Sequence, residues 1–164
     1  LEKIIPQSAL ELGNEYKFLI YGDGGAKNKL AKNIDFLKLN NVILHDPVSR
    51  DKLIKIYNSA NYLFLHLNNY PAFKKVLPSK IFELATYPKT ILAGVSGYSA
   101  DFIKKEISNS FVFDPCDSHA LSSFLKNDKC PIKKNRINFI NKFKRSEINK
   151  NMSNKILNYL WKYI

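Results

Sequence analysis

The chain has 164 residues, of which 45% are apolar and 24% charged, and its formal net charge is +12. This length and composition fit a single domain with a substantial core, and they exclude disordered, collagen-like and disulfide-scaffold chains. Residues 126–164 hold 11 Lys and Arg against two Asp and Glu, so most of the charge belongs to the tail, which argues against a nucleic-acid surface over the whole chain.

Short apolar runs alternate with amphipathic stretches along the first three quarters of the chain. Strands are predicted over residues 16–21, 41–45, 62–67, 90–93 and 110–113. Helices are predicted over residues 26–39, 50–60, 78–87, 99–107 and 118–126, with Ser49 and Asp117 as caps. This alternation predicts an α/β fold in which helices cover both faces of a mostly parallel sheet, giving three layers.

A basic tail follows this region. We expect residues 1–130 to form one domain and residues 131–164 a separate helical segment. Within that segment, four apolar residues recur at a spacing of four: Ile148, Met152, Ile156 and Leu160. The simplest expectation is that this stripe packs on its own domain.

Parallel sheets bind ligands outside the carboxyl ends of their strands, where three loops carry polar groups or glycines. The first contains Gly22, Asp23 and Gly24 between a predicted strand and helix. Glycine lets the backbone approach a ligand closely, and a helix start attracts anions. Because Lys27 stands where the third glycine of G-x-G-x-x-G belongs, a dinucleotide site is not predicted.

The second loop precedes the helix predicted to begin at Pro78. Lys75 and Lys80 flank this start, and cations beside backbone amides suit a diphosphate. Glu83 lies one turn in, on the same side as Ser79, where a carboxylate can accept hydrogen bonds from a ribose diol. The alternative is an ordinary charged surface helix.

The third loop, residues 94–101, places two glycines between a strand and a helix. Its role depends on whether it faces the second loop. No metal site is predicted, because His45, His66 and His119 are scattered along the chain. Cys116 and Cys130 lack metal-binding or redox spacing, so we expect two buried or idle thiols.

In chain order, these stretches resemble the C-terminal half of glycosyltransferases of the GT-B fold, above all the retaining family called group 1 or family 4. The resembling segments are FLIYGDG, NVILHDPVSRDKLIKIYNSANYLFLHL, VLPSKIFELATYPKTILAGVSGYSADFI and FVFDPCDSHAL. They cover about residues 18–125, and their order and spacing carry the resemblance. PSK-x-F-E is similar to bacterial enzymes that build surface polysaccharide, including amino-deoxyhexose transferases.

The resemblance implies a Rossmann-like domain that binds a nucleotide-sugar donor. Its expected donor-binding residues are Gly22, Asp23, Gly24, His45, Asp46, Pro47, Lys75, Val76, Leu77, Pro78, Ser79, Lys80 and Glu83. The glycine loop and the His45 strand end would flank the base, Lys80 would face the diphosphate, and Glu83 would hold the ribose. Lys75 stands where the family's E-x7-E motif has its first glutamate. No residue is assigned a catalytic role.

The resemblance also implies an activity and its partners. We expect transfer of a sugar from a UDP-sugar with retained configuration, in building lipopolysaccharide O-antigen or capsule, without cofactor or metal. The expected partners are an N-terminal GT-B half that this chain lacks and a lipid-linked acceptor at an anionic membrane. The apolar stripe of the tail would pack either on its own domain or on that N-terminal half. The expected location is the cytoplasm, peripheral to the inner face of the plasma membrane.

The sequence begins at a leucine and its only methionine is Met152, so we expect a piece of a longer protein that is inactive alone. Two alternatives remain: a basic nucleic-acid-binding module, and another Rossmann-type nucleotide-sugar enzyme. Nucleic acid is not an expected partner under the leading interpretation. A dinucleotide-dependent epimerase is disfavoured by the broken glycine pattern.

One strand of the resembling fold is missing from this sequence. In the family, this half begins with a central strand, which would lie between the strands predicted at 16–21 and 62–67. Without it, two rows of backbone groups lack partners. Either the neighbours close up, or another segment fills the position, or the chain is incomplete.

Overall fold

Helices and strands alternate in the computed structural model, which describes residues 1–128 and 131–161. The strands are β1 Phe18–Tyr21, β2 Val42–His45, β3 Tyr62–His66, β4 Thr90–Gly94 and β5 Ser110–Phe113. The α-helices are α1 Ile4–Leu12, α2 Lys27–Phe36, α3 Arg50–Ser59, α4 Lys80–Leu84, α5 Tyr98–Glu106, α6 Ser118–Asn127, α7 Ile137–Phe143 and α8 Arg145–Leu160. The predicted α/β alternation is therefore confirmed.

All strand pairs are parallel, but the sheet is divided. β1 pairs with β2, with Phe18 opposite Val42, and β4 lies between β3 and β5, with Leu92 opposite Phe64 and Phe111. Within residues 1–128 and 131–161, no pairing joins β1 to β3. In the described residues the neighbours of the missing strand have therefore not closed up, which removes the first of the three possibilities.

The two faces of the sheet bury separate apolar cores, because successive side chains along a strand point to opposite faces. On one face Leu92 packs with apolar residues of α1, α2 and α6. On the other, Ile91 and Ala93 pack with residues of α4, α5 and α7, and Tyr57 of α3 lies against them. These two helical layers make the three-layer arrangement typical of a Rossmann-like domain.

Helix ends differ in how well the sequence predicted them. Asp117 accepts a hydrogen bond from the Ala120 N–H at 2.9 Å, as expected for a cap of α6. Ser49 precedes α3, but its side chain makes no capping hydrogen bond. α4 was predicted to extend to residue 87, but it ends at Leu84. Pro88 disfavours a helical backbone at the residue before it, Tyr87.

The tail divides into a packed and an exposed part. Phe139 and Phe143 of α7 join the core beneath α4 and α5. α8 contains no buried residue, and the stripe at Ile148, Met152, Ile156 and Leu160 is 47–56% exposed. The expectation that this stripe packs on its own domain was therefore wrong. Cys130 lies outside the described residues.

Candidate functional site

The loop that follows β1 and the loop that follows β2 meet at the carboxyl edge of these strands. The Lys27 Nζ lies 2.6 Å from Asp46 Oδ1 and 3.8 Å from Asp23 Oδ1, so one ammonium links both loops. The hydrogen bond to Asp46 raises the pKa of Lys27, and the same bond lowers the pKa of Asp46. Both groups are therefore charged at neutral pH, and the lysine sets the distance between the loops.

Beneath this ion pair, an aromatic pair ends the two strands. The rings of Tyr21 and His45 stack with centroids 4.4 Å apart and planes 11° from parallel. The chain then turns at Gly22, whose φ of +149° is rarely adopted by other residues. The residues predicted to flank a base therefore adjoin a stacked aromatic pair.

The second loop brings opposite charges together on α4. The Lys80 Nζ lies 3.0 Å from Glu83 Oε2 and 5.2 Å from the centroid of the Tyr57 ring. Burial would lower the pKa of Lys80, but hydrogen bonds to Tyr57 and Glu83 outweigh it, so this pKa lies above its ordinary value. Lys80 is therefore a charged group held by two neighbours.

Several backbone amides near Lys80 already have partners inside the loop. The N–H groups of Val76, Ile81 and Phe82 donate to Phe73, Pro78 and Ser79 at 3.1–3.3 Å. Because these N–H groups already donate to carbonyl oxygens, they are weaker hydrogen-bond donors to a phosphate. The predicted diphosphate contact therefore falls mainly on the Lys80 ammonium. Lys75 and Ser79 are exposed beside this loop, and Leu77 and Pro78 are partly buried in it.

The third loop, residues 94–101, contacts the second loop, which precedes Pro78. This contact is the condition on which a role for the third loop depended. An atom at the Cβ position of Gly97 would lie 2.4 Å from the Lys74 carbonyl oxygen, so the two backbones are in close contact. The Ser99 hydroxyl donates to the Val76 carbonyl. The start of α5 therefore holds the segment that leads to Lys80.

A large groove joins parts of these loops. It has a volume of about 840 Å³, and its wall includes Gly22, Pro47, Tyr57 and Lys80. Gly24 and His45 instead line a smaller cavity of about 150 Å³ beside Lys27. Five of the thirteen predicted donor-binding residues therefore line one of these two depressions, and the other eight line neither.

Tyr57, Gly97 and Ser99 were not predicted as site residues. Tyr57 belongs to the apolar spacing of α3, which predicts a core position, and this same orientation brings its ring under Lys80. In the sequence, Gly97 and Ser99 only indicate a turn between a strand and a helix. Only their contacts with Lys74 and Val76 connect them to the site.

His66 ends β3 at the same edge and was not predicted as a functional residue either. Its Nε2 accepts a hydrogen bond from the Cys116 N–H at 3.1 Å. Burial lowers the pKa of His66 to about 4. The imidazole is therefore neutral at pH 7. Cys116 itself is free and exposed, so of the two expected states, buried or idle, this thiol is not buried.

The described residues contain neither a metal site nor a membrane-spanning helix. No group of three His, Cys, Asp or Glu side chains there is arranged to hold a metal ion. No helix in residues 1–128 or 131–161 is both long enough and apolar enough to cross a bilayer.

Comparison with known proteins identifies the family. The sequence matches the family model for glycosyl transferases group 1 over residues 3–148, which is most of the chain. No curated protein and no solved structure matches it. The parallel strands with helices on both faces agree with the Rossmann-like half of a GT-B enzyme. The chain therefore belongs to the group 1 family of glycosyltransferases.

Proposed function

We propose that the chain binds the nucleoside diphosphate of a nucleotide-sugar donor at the carboxyl edge of its strands. The observation that carries this proposal is the Lys80–Glu83 pair, 3.0 Å apart, on a helix whose leading loop is held by Gly97 and Ser99. A cation and a carboxylate side by side suit the two polar parts of such a ligand, its phosphates and its ribose diol.

The two side chains have separate roles in this proposal. Lys80, charged at neutral pH, binds the diphosphate and stabilises the negative charge that develops when the sugar leaves. Glu83 accepts hydrogen bonds from the ribose hydroxyls. The loops joined by Lys27 and Asp46, with Gly22 and Pro47, flank the base. The sugar is transferred with retained configuration.

The finer identity of the donor and product is also a proposal. We infer a UDP-sugar as donor and a bacterial surface polysaccharide, O-antigen or capsule, as product, with an amino-deoxyhexose as the sugar. These inferences rest on the resemblance of the PSK-x-F-E segment. An N-terminal GT-B half would hold the acceptor, so we expect this chain alone to bind the donor without transferring sugar. No metal or organic cofactor is proposed.

Titration calorimetry with UDP and GDP tests the donor site. We expect Lys80→Ala to weaken nucleotide binding by about 10- to 100-fold, since a hydrogen bond to a charged group contributes roughly 1.5–3 kcal/mol. Glu83→Gln should weaken it by about tenfold. Uridine has the ribose diol but no phosphate. Glu83→Gln should therefore weaken uridine binding, whereas Lys80→Ala should leave it unchanged.

Glu106→Gln provides the matched control. Glu106 is also paired with a lysine, Lys142, at 2.7 Å, but it lies on α5 away from the predicted loops. Its replacement should leave nucleotide affinity unchanged. Equal loss of affinity in the control and in Glu83→Gln would contradict the assignment. Binding of a DNA duplex but no nucleotide, lost at high salt, would favour the basic nucleic-acid module instead.

We further propose that α8 binds an anionic membrane surface that carries the acceptor. Its apolar stripe is exposed, and Arg145, Lys150 and Lys155 on the same helix are cations suited to acidic headgroups. Such helices lie in the interface with their apolar face toward the acyl chains.

Sedimentation with lipid vesicles tests this role of α8. Vesicles of phosphatidylglycerol should retain the chain, and vesicles of phosphatidylcholine alone should retain much less. Ile156→Ser combined with Leu160→Ser should reduce retention by about tenfold, whereas Phe36→Ser, which alters an 85% exposed side chain on α2, should not. Equal retention by both kinds of vesicle would show that α8 does not select anionic lipid.

A further inference from the structure

The Lys80 ammonium is held from two sides in the structure. On α4 itself, Glu83 Oε2 lies 3.0 Å from the Lys80 Nζ, about one turn further along the helix. From α3, Tyr57 places its ring beneath the ammonium, with 5.2 Å between Nζ and the ring centroid. The ammonium also donates a hydrogen bond to the Tyr57 hydroxyl oxygen. One partner therefore belongs to the helix of Lys80, and the other belongs to a separate element.

Tyr57 is itself fixed by the core. Its side chain packs against the apolar core that α4, α5 and α7 share, and its ring centroid lies 5.0 Å from that of Tyr87, with the ring planes 60° apart. Tyr87 follows α4, and its backbone carbonyl accepts a hydrogen bond from the buried Arg136 guanidinium. Side chains packed in a core have few alternative rotamers. The position of the Tyr57 hydroxyl is therefore set by the fold and not by Lys80.

The two partners of Lys80 differ in what donor binding requires of them. In the proposed donor site, Glu83 accepts hydrogen bonds from the ribose hydroxyls, so its carboxylate has to share or give up its contact with the ammonium. Tyr57 has no such second task. A lysine ammonium sits on a flexible four-carbon stem, and it moves when no partner holds it. Tyr57 is therefore the partner that can keep the ammonium in place while the carboxylate binds the ribose.

We propose that Tyr57 is a positioning residue of the donor site, whose hydroxyl and ring hold the Lys80 ammonium where it meets the diphosphate. Both residues line the groove of about 840 Å³, so the ammonium is held at a surface that a ligand can reach. An ammonium held in this way loses less rotamer freedom when a phosphate binds, and it therefore binds the phosphate more tightly. The inference rests on the proposed function, because it assigns Lys80 to the diphosphate.

Two substitutions separate the effect of the hydroxyl from that of the ring. Tyr57→Phe removes the hydroxyl and keeps the ring, and it should weaken UDP binding by about three- to tenfold. Tyr57→Leu removes both and should weaken UDP binding by about 10- to 30-fold. Uridine, which has no phosphate, should bind both variants as tightly as it binds the unmodified chain. Because the ring stays in the core, Tyr57→Phe decides the outcome should Tyr57→Leu fail to fold.

A double-mutant cycle shows whether Tyr57 acts through Lys80. In the Lys80→Ala chain, adding Tyr57→Phe should cause no further loss of UDP affinity, because the group that Tyr57 holds is gone. Tyr16→Phe is the matched control. Tyr16 also lies in a tyrosine pair, with Tyr62, and its hydroxyl is hydrogen-bonded, but it precedes β1, at the amino end of that strand. Its replacement should leave UDP affinity unchanged. An equal effect of Tyr57→Phe with and without Lys80 would overturn the proposal.

Titration of Lys80 by NMR, with isotope-labelled lysine and no nucleotide present, gives a result that a merely structural role would not change. Hydrogen bonds to Tyr57 and Glu83 raise the pKa of Lys80 against the opposing effect of burial. Tyr57→Phe should therefore lower this pKa, whereas Tyr16→Phe should not. An unchanged pKa of Lys80 in Tyr57→Phe would contradict the proposal.

The same variants distinguish failure of this inference from failure of the donor site. If Lys80→Ala weakened UDP binding and Tyr57→Phe did not, the role of Tyr57 alone would be wrong. If Lys80→Ala bound UDP as tightly as the unmodified chain, the proposed function and the role of Tyr57 in it would both be overturned.

Discussion

Replacing Arg136 by alanine is expected to lower the free energy of unfolding by about 3–5 kcal/mol. Arg136 is only 4% exposed, and its guanidinium donates to four backbone carbonyls: those of Lys89 at 2.7 Å, Ser108 at 2.8 Å, Asn109 at 2.9 Å, and Tyr87. Removal leaves these acceptors without their donor, which costs about 1–3 kcal/mol for each that water does not reach.

Urea unfolding measures this effect. Arg136→Lys should recover only part of the loss, since an ammonium cannot reproduce the planar set of donors that reaches four carbonyls. Lys134→Ala, which removes an exposed charge two residues earlier, should change stability by no more than about 0.5 kcal/mol. If Arg136→Ala lowered the free energy of unfolding no more than Lys134→Ala does, the hydrogen bonds of Arg136 would not hold the tail to the domain.

Replacing Gly97 by alanine should disturb both stability and donor binding. The φ of this residue is +62°, and an added Cβ would lie 2.4 Å from the Lys74 carbonyl oxygen, a backbone atom that cannot turn away. We expect a loss of about 2–3 kcal/mol in stability from strain and overpacking. Because the displaced segment leads to Lys80, affinity for UDP should also fall, by about tenfold.

Gly25→Ala is the matched control for this substitution. Gly25 has an ordinary φ, and no atom lies within 4 Å of its added Cβ. The Gly25→Ala variant should therefore have the same melting temperature and the same affinity for UDP as the unmodified chain. Loss of stability in Gly97→Ala with unchanged affinity would mean that the loop of Lys74 does not position Lys80.

The parts of the fold that the sequence predicts are those set by local chemistry. The run TILA predicts a buried strand, and all five residues of β4 are buried. Asp117 predicts the start of α6, because its carboxylate can reach an N–H three residues ahead. In each case, residues within one turn or one strand carry the information.

The parts that could not be predicted depend on residues far apart in the chain. In the sequence, Arg136 is only one of several cations in a basic tail. The carbonyl oxygens that accept its hydrogen bonds belong to residues 27–49 positions earlier. Gly97 has its essential neighbour, Lys74, in another loop. Glu83 was predicted to share a side with Ser79; its ion pair with Lys80, whose ammonium also lies over the Tyr57 ring, was not predicted.

The stripe on α8 illustrates a different limit. A spacing of four predicts that apolar side chains share one face of a helix, and it does not state what covers that face. The exposure of Ile148 and Ile156 shows that the described part of the chain does not cover it.

The divided sheet also has a consequence for how the molecule opens. Among the described residues, no strand pairing joins β1 to β3. The β1–α2–β2 unit shares one apolar core with α1 and α6, and the Tyr16 hydroxyl donates to the Leu125 carbonyl. Contiguous units with few bonds to their surroundings open at lower free energy than the whole domain. We therefore expect this unit to open as a separate cooperative segment, before thermal fluctuations disrupt β3, β4 and β5.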